Sequence, residues 1–444
     1  MVAIASRART AVAIAAAGAA IAGGLLLKQR KPSCAVDPEV HSDILHAALT
    51  SASIQPGDQD IAVTITMPKA AELRRPNIAL AVVLDRSGSM HGEPLENAKA
   101  AASALVTSLA DEDAFSIVTF SDRDELVVAM GKASKNHKAE ALAAIDRIVD
   151  EGGTCTSCGI SRGTTELESS TLATTGVKRM VLISDGQANE GIWDRDELVH
   201  LAQTTAADGI SLSTVGVGLD FDEQTMIRLG ENGHGNYYFV KDTANLAAMF
   251  HTELTNISAT VATDVQLMVT ETAGTQIEFA YGYPMTRIEG GRVAIPVADL
   301  RAGETRKVVL HAHVVDSRVA KFGLTWKDPT DNQRHETYTT LSTTLTDNPR
   351  VVAANRDLDA TMAVEEARTA HVLEQATTTY EQYGAEAAQR VIERQLDHVR
   401  STGLSPANLE RMERAANGAV HSFATDSADQ AKKATRTNAY ELAR

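Results

Sequence analysis

The chain has 444 residues, with 42 Lys and Arg against 58 Asp and Glu, so its formal net charge is −16. Charged residues make up 23% and apolar residues 43%, which excludes a mostly disordered chain and a polytopic membrane protein. The acidic balance excludes a generic nucleic-acid binder, which needs a basic face, and three cysteines exclude a disulfide-built scaffold.

The N-terminal segment, residues 1–35, is predicted to hold a membrane anchor. Ala11–Leu27 is an uncharged run of 17 residues with basic residues on both sides. This length is near the lower limit for a spanning helix, and a cleaved signal peptide is seldom followed directly by a basic cluster. We therefore expect an uncleaved anchor and an extracytoplasmic chain, periplasmic or at the cell surface. Secretion and an amphipathic leader are the alternatives.

Residues 36–76 are predicted to be a linker and a strand, Asp60–Met67. Residues 77–257 then alternate strands with helices, which predicts an α/β fold with a doubly wound, mostly parallel sheet. Its first strand, Ile78–Leu84, is continuously apolar, as expected of a strand buried on both faces. Further strands are predicted at Ala114–Phe120, Leu126–Ala129, Arg179–Ile183, Ile210–Val217 and Asn236–Val240, and a closing helix at Ala244–Ile257.

The α/β segment carries most of the charge imbalance. It has 13 Lys and Arg against 27 Asp and Glu, so it should attract cations. Residues 258–348 are rich in alternating Val and Thr, which predicts an antiparallel β-sandwich that the strand Asp60–Met67 completes. Residues 349–444 are predicted to be helical, with helices near 350–376, 379–400 and 405–422 and a frayed end of about twenty residues.

Five candidate metal ligands lie in three polar loops of the α/β segment: Asp85, Ser87, Ser89, Thr154 and Asp185. Loops at the carboxyl ends of parallel strands meet at one edge of the sheet, where ligands bind in such folds. A set of hard oxygen donors without sulfur or imidazole selects Mg²⁺, Mn²⁺ or Ca²⁺ over zinc and copper. In any single loop, Ser and Asp could instead cap a helix or close a turn without a metal.

These motifs resemble the metal-ion-dependent adhesion site of von Willebrand factor type A (vWA) domains. Asp-x-Ser-x-Ser at 85–89, Gly-Gly-Thr at 152–154 and Ser-Asp-Gly at 184–186 carry the resemblance, which covers Asn77–Ile257. The architecture is similar to that of bacterial secreted or membrane-anchored vWA proteins. The resemblance implies that the three hydroxyls ligate the ion directly and that the two aspartates act mainly through waters and hydrogen bonds. It also implies a binding module, not an enzyme, whose ion takes an Asp or Glu of a protein partner.

Two other classes of function remain as alternatives. Asp85 ends a buried strand, as the phosphoryl-accepting Asp of some enzymes does, but no acid follows two residues later and no Lys-bearing loop completes such a site. A transport, channel-like or envelope assembly is suggested only by the names of similar families, and one short apolar segment forms no pore alone. The oligomeric state is left open.

Cys155 and Cys158 depart from the family pattern, which has polar or small residues after the metal-site threonine. Outside the cytoplasm a disulfide is favoured, and it would stiffen the loop that holds Thr154. Two buried thiols and a redox-active pair at a helix N-terminus are the alternatives. Trp193, in the loop after Asp185, is expected either to contact a partner or to pack internally.

Overall fold

A computed structural model describes residues 43–69, 75–170, 176–184, 188–217, 222–240 and 253–443. The predicted anchor lies outside the described residues. No helix within them combines the length and the apolar character that a membrane span requires. Three β-strands come first along the described chain: β1 (Leu45–Leu49), β2 (Ser53–Ile54) and β3 (Gly57–Thr66).

A six-stranded sheet with helices on both faces follows, which confirms the predicted α/β class. Its strands are β4 (Ile78–Asp85), β5 (Ala114–Phe120), β6 (Asp124–Lys132), β7 (Val177–Ser184), β8 (Ile210–Val217) and β9 (His234–Val240). The order is β6-β5-β4-β7-β8-β9, and every neighbouring pair is parallel except β5 with β6. The helices are α1 (Glu93–Ser108), α2 (Lys135–Asp146), α3 (Thr156–Glu168), α4 (Arg195–Ala207), α5 (Glu223–Asn232) and α6 (253–258).

The continuous apolar run of β4 is explained by two separate cores. Ile78, Leu80 and Val82 pack on one face of the sheet with α1 and α2, while Ala81 and Val83 pack on the other with α3 and α4. Because strand side chains alternate between faces, a central strand covered on both sides must be apolar throughout. The closing helix predicted at 244–257 falls partly outside the described residues, and its end is α6.

The second part is the predicted β-sandwich. Its strands are β10 (Thr260–Glu271), β11 (Thr275–Ala280), β12 (Thr286–Ile288), β13 (Arg292–Val297), β14 (Leu300–Arg301), β15 (Thr305–Val314), β16 (Arg318–Lys327), β17 (Arg334–Ser342) and β18 (Thr344–Leu345). One sheet has the order β1-β3-β15-β11 and the facing sheet β12-β13-β10-β16-β17. The strand expected at Asp60–Met67 is β3, which pairs antiparallel with both β1 and β15. Side chains from both sheets, such as Val63 and Phe322, share one core.

A buried ion pair joins the amino end of the α/β sheet to the sandwich. Arg179 Nη2, near the start of β7, lies 2.9 Å from Asp299 Oδ2, and the two side chains are only 4% and 5% exposed. The same carboxylate oxygen accepts a 2.7 Å hydrogen bond from the Ser211 hydroxyl of β8. The sandwich therefore meets the amino edge of the sheet, and the predicted ligands that the structure describes, Asp85, Ser87, Ser89 and Thr154, follow the carboxyl ends of the strands at the opposite edge.

The helical region differs from prediction at three points. Its helices are α7 (Pro349–Ala354), α8 (Leu358–Tyr383), α9 (Ala385–Ser401), α10 (Pro406–Thr425) and α11 (Ala428–Ala443). The helix predicted near 350–376 is interrupted at 355–357, between α7 and α8. The predicted break near 376–379 is wrong: α8 continues to Tyr383, and Gly384, with φ of 80°, separates it from α9. The end of the chain is not frayed, because α11 buries Ala431, Ala439 and Leu442 against the other helices.

Helix α11 also contacts β9, the edge strand of the α/β sheet. The Tyr440 hydroxyl accepts a 2.8 Å hydrogen bond from the Tyr237 N–H, and the two rings meet edge to face with centroids 5.7 Å apart. Arg436 lies 3.5 Å from Glu223, which is 1% exposed and accepts a hydrogen bond from the Tyr237 hydroxyl. The tail thus satisfies an edge N–H that would otherwise need another partner.

Glu223 should make the stability of the protein depend on pH. Burial outweighs the attraction of Arg436 and raises the pKa of Glu223 to about 7. The folded chain therefore keeps a proton that the unfolded chain releases above its ordinary pKa of 4.5. Stability should fall by about 2 to 3 kcal/mol as pH rises from about 4.5 to 7, and change little from this source outside that window.

Denaturant unfolding of the wild type and of Glu223→Gln across this range measures the effect. The difference in the free energy of unfolding between the two proteins should change with pH over the stated window. Glu386→Gln, at a carboxylate that is 89% exposed, is the matched control and should follow the wild type. Parallel pH curves for the wild type and Glu223→Gln would contradict the assignment.

Candidate metal centre

The first loop of the site begins where β4 ends, at Asp85. This carboxylate is fully buried, and both of its oxygens are occupied: Oδ1 accepts from the Ser87 N–H at 2.8 Å and Oδ2 from the Ser184 hydroxyl at 2.6 Å. Burial raises the pKa of Asp85, although these hydrogen bonds act in the opposite direction. The side chain is therefore held in one orientation by a group in its own loop and by Ser184 at the end of the neighbouring strand β7.

Two serine hydroxyls lie next to each other beyond Asp85. Ser87 Oγ and Ser89 Oγ are 3.1 Å apart, with Ser87 buried and Ser89 exposed. A 3-10 turn at Gly88–Met90 produces this arrangement, and the buried Met90 side chain fixes the turn to the core. The two serines of the motif thus present their hydroxyl oxygens on the same side.

Backbone hydrogen bonds tie the first loop to the second. Gly88 N–H donates to the Gly152 carbonyl at 3.1 Å, and Glu151 N–H donates to the Arg86 carbonyl at 2.7 Å. The Arg86 side chain is 8% exposed and adds ion pairs to Glu151 at 2.8 Å and to Glu125 at 3.1 Å. The charge of Arg86 is therefore paired with two carboxylates, Glu151 in the second loop and Glu125 on the adjacent strand β6.

The second loop delivers Thr154 in a fixed position. Thr154 is buried, and its N–H donates to Asn189 Oδ1 at 2.8 Å. The preceding Gly153 N–H donates to the Asp122 carboxylate. A side chain at Gly153 would place its Cβ 2.8 Å from Asn189 Oδ1 and 2.9 Å from Asp122 Oδ1. A larger residue here would displace the Asn189 and Asp122 side chains, which hold the backbone of this loop.

The third predicted loop is bracketed by contacts with the other two. Asp185 itself lies outside the described residues. Ser184, directly before it, donates to Asp85, and the N–H groups of Asn189 and Glu190 donate to the Thr154 carbonyl at 3.1 and 3.3 Å. The structure thus brings together the loops of Asp85, the two serines and Thr154 and holds both flanks of the Asp185 loop against them. Carboxylate and hydroxyl oxygens of this kind fit a small, hard divalent cation.

Sequence reasoning missed two residues that shape this edge, Asp122 and Asn189. Asp122 lies two residues after the end of β5, and Asp85 is the last residue of β4, so a rule that looks for acids at the carboxyl ends of strands would have found both. Asn189 lies four residues after Asp185, and its side-chain contact with Thr154 carries no local sequence signal. Both act on the backbone of the Thr154 loop.

The cysteine pair forms a disulfide at the start of α3, as favoured from the sequence. Cys155 and Cys158 have Cα atoms 5.3 Å apart, and Cys155 is the residue before the helix. The loop after Asp185 packs on it: a Cβ at Gly191 would lie 2.4 Å from Cys155 Sγ. Ile192 N–H also donates to the Ser157 hydroxyl at 2.9 Å. The disulfide therefore contacts both the second and the third loop.

Other polar groups have structural explanations. Asp222 caps α5 by accepting from the Thr225 N–H. Within the described part of the chain, one group of three carboxylate and imidazole ligands lies together, at the β16–β17 turn: Asp328, Asp331 and His335. Asp331 and His335 are exposed, and the Asp328 carboxylate already accepts from Thr330.

The described residues thus form a doubly wound sheet with polar loops at its carboxyl edge. Residues 79–252 match the family model of the von Willebrand factor type A domain, and this part of the chain is a vWA domain. Domains of this family commonly mediate protein interactions and typically bind a divalent metal ion.

Relatives match this domain over part of their length. The uncharacterized protein YfbK of Escherichia coli is 30% identical over 45% of this chain and 34% of its own. Human inter-alpha-trypsin inhibitor heavy chain H2 is 27% identical over 44% of this chain and 21% of its own. The chain thus spans about a third or less of these relatives.

The likeness to solved structures extends beyond the vWA domain. The von Willebrand factor type A protein from Catenulispora acidiphila superposes with a TM-score of 0.68 over 85% of this chain and 91% of that one. The sequence identity is 15%, so the likeness concerns the fold alone. It extends over far more of the chain than the family match, which covers 79–252.

Proposed function

We propose that this protein captures an acidic side chain of a partner protein through a divalent ion bound at the carboxyl edge of its vWA domain. Ser87, Ser89 and Thr154 supply hydroxyl ligands, and Asp85 and Asp185 orient them. The ion is Mg²⁺, with Mn²⁺ or Ca²⁺ able to replace it. The chain is tethered outside the cytoplasm by its N-terminal segment, so that the site faces an extracytoplasmic partner.

The observation that carries this proposal is the way in which Asp85 is used. Both carboxylate oxygens are engaged by Ser87 and Ser184, so Asp85 positions its neighbours while the serine hydroxyls are presented at the edge. When bound, the ion supplies a positive charge that neutral hydroxyl ligands leave largely uncompensated. That residual charge attracts a carboxylate from a partner.

The same geometry argues against a phosphoryl-transfer enzyme. A phosphoryl-accepting aspartate needs a free, accessible oxygen, whereas Asp85 is 0% exposed with both oxygens hydrogen-bonded. The sequence also lacks the second acid and the Lys-bearing loop that such a site uses. Binding without bond breaking is therefore the better account of these residues.

Charge around the site limits the kind of partner. Asp122, Glu151 and Glu190 are exposed beside the three loops, and the domain as a whole is acidic. A uniformly acidic partner would be repelled at long range. The partner surface should therefore present one acid among neutral or basic residues.

Calorimetric titration of Mg²⁺ into the full chain tests the metal half of this proposal. The wild type should bind one ion. Thr154→Ala should weaken binding by about 100-fold or more, since changes of outer partners alone cost about 10- to 100-fold. Thr107→Ala, at an exposed threonine of α1, is the matched control and should bind as the wild type does. Equal binding by the wild type and Thr154→Ala would contradict the assignment of Thr154.

A further inference from the structure

Large apolar side chains are exposed on the loops that carry the metal-site residues. Val149 is 65% exposed and lies in the segment that leads to Thr154. Ile192 and Trp193 are 37% and 68% exposed and lie in the loop that follows Asp185. Single exposed apolar side chains are common on protein surfaces, but Ile192 and Trp193 are consecutive, and tryptophan is among the residues that contribute most to protein contact.

A groove opens beside Trp193, between helices α4 and α5. Its volume is about 470 Å³, within the range of about 300 to 1,000 Å³ typical of ligand pockets. Its apolar lining consists of the buried side chains of Leu198, Met226 and Leu229, together with Trp193. This part of the lining suits an apolar group, while five further lining residues are charged: Asp194, Arg195, Asp196, Asp222 and Arg228.

The groove begins next to the metal-site loops. Thr156, two residues after Thr154, and Ala188, which precedes Asn189, both line it. Since Asn189 holds the Thr154 backbone, the groove and the predicted ligand edge share the same two loops. A single extended segment can therefore reach both, because each residue of such a segment spans about 3.3 Å.

The rim of the groove is acidic overall. Arg195 pairs with Asp222 and Arg228 with Asp196, each at 2.7 Å, and both pairs connect α4 to α5. With these arginines matched, Asp194 adds a further acid to the rim, where it caps α4. Basic side chains on the segment that enters the groove would complement this charge.

We infer that this groove is the specificity pocket for a large apolar side chain of the same partner segment whose acid binds the ion. The recognised chemistry is an extended segment with one Asp or Glu, one large apolar residue at a fixed short spacing, and basic flanks. This inference rests on the proposed function, since it assumes that an acid of the partner binds the ion. The acid alone would select poorly among the many acidic surfaces that a protein meets, so a second contact is needed for specificity.

Selection from a library of short random peptides, on the full chain with Mg²⁺ and with elution by EDTA, tests the inference. The selected peptides should share an acid and a large apolar residue at constant spacing. Trp193→Ala should weaken the binding of such a peptide to the protein by about tenfold or more. Replacing the apolar residue of the peptide by Ala should cost about the same, and the two changes together should cost little more than either alone.

The control variant is Tyr383→Ala, since Tyr383 is an aromatic residue 74% exposed at the end of α8. It should leave peptide binding unchanged, and Asp85→Ala should abolish it. Peptides that share only an acid, or that bind Trp193→Ala as well as the wild type, would contradict the assignment of the groove as a specificity pocket. They would leave the proposed function of the metal site unaffected. A failure to select any EDTA-sensitive peptide would contradict both. Self-association that Trp193→Ala abolishes would assign the groove to a second copy and overturn the peptide inference.

Discussion

Replacing Asp85 by Asn should remove the stabilisation of the protein by Mg²⁺ while leaving the metal-free form at least as stable as the wild type. The asparagine has nearly the same shape and can still accept from the Ser87 N–H and pair with the Ser184 hydroxyl. It carries no charge, so the desolvation that raises the pKa of Asp85 no longer costs free energy. The charge that helps to hold a divalent cation is lost with it.

Thermal and denaturant unfolding with and without Mg²⁺ measure this result. An ion at about 100 times its Kd stabilises the wild type by about 2.7 kcal/mol, and the variant should show almost none of this gain. Asp146→Asn, at an exposed position at the end of α2, is the matched control and should keep the full gain. A variant that Mg²⁺ still stabilises as much as the wild type would remove Asp85 from the site.

Arg179→Ala should destabilise the protein by about 3 to 5 kcal/mol, because it leaves the buried Asp299 carboxylate without its cation. Burial already raises the pKa of Asp299 with the arginine present. Without Arg179 the folded state must either keep a buried charge or hold a proton that the unfolded state releases. The loss should therefore be larger at about pH 8 than at about pH 5.

Equilibrium unfolding in denaturant at both pH values measures the loss. Arg179→Met combined with Asp299→Asn should recover part of the stability, since no unpaired charge then remains buried. Arg390→Ala removes an exposed pair with Glu386 and should cost less than about 1 kcal/mol. If Arg179→Ala costs no more stability than Arg390→Ala, the ion pair between the α/β sheet and the sandwich contributes little to the stability of the fold.

The strands and the first metal-site loop were predictable because their signals are local. A continuous apolar run such as Ile78–Leu84 needs only its own residues to be recognised, and the Asp-x-Ser-x-Ser motif lies directly after it. The order of elements then places all three polar loops at one edge. The α/β class followed from this pattern and the structure confirms it.

Features that depend on distant contacts were not predictable in the same way. Asn189 holds Thr154 across 35 residues, and no spacing rule describes that contact. Helix α11 appeared polar because its buried face consists largely of small residues such as Ala431 and Ala439, which give a weak periodic signal. Tyr440 acquires its meaning from an edge strand about 200 residues away.

The disulfide limits how closely the loop after Asp185 can approach the start of α3. Cys155 and Cys158 are three residues apart, so linking them removes little chain entropy from the unfolded state. The steric effect of its sulfur atoms is larger than this entropic effect, because Gly191, with φ of 66°, lies against Cys155 Sγ with no room for a side chain. The sulfur pair acts as a spacer that sets how near the backbone after Asp185 can come to the start of α3. Any residue larger than glycine at position 191 would force these two segments apart and widen the mouth of the site.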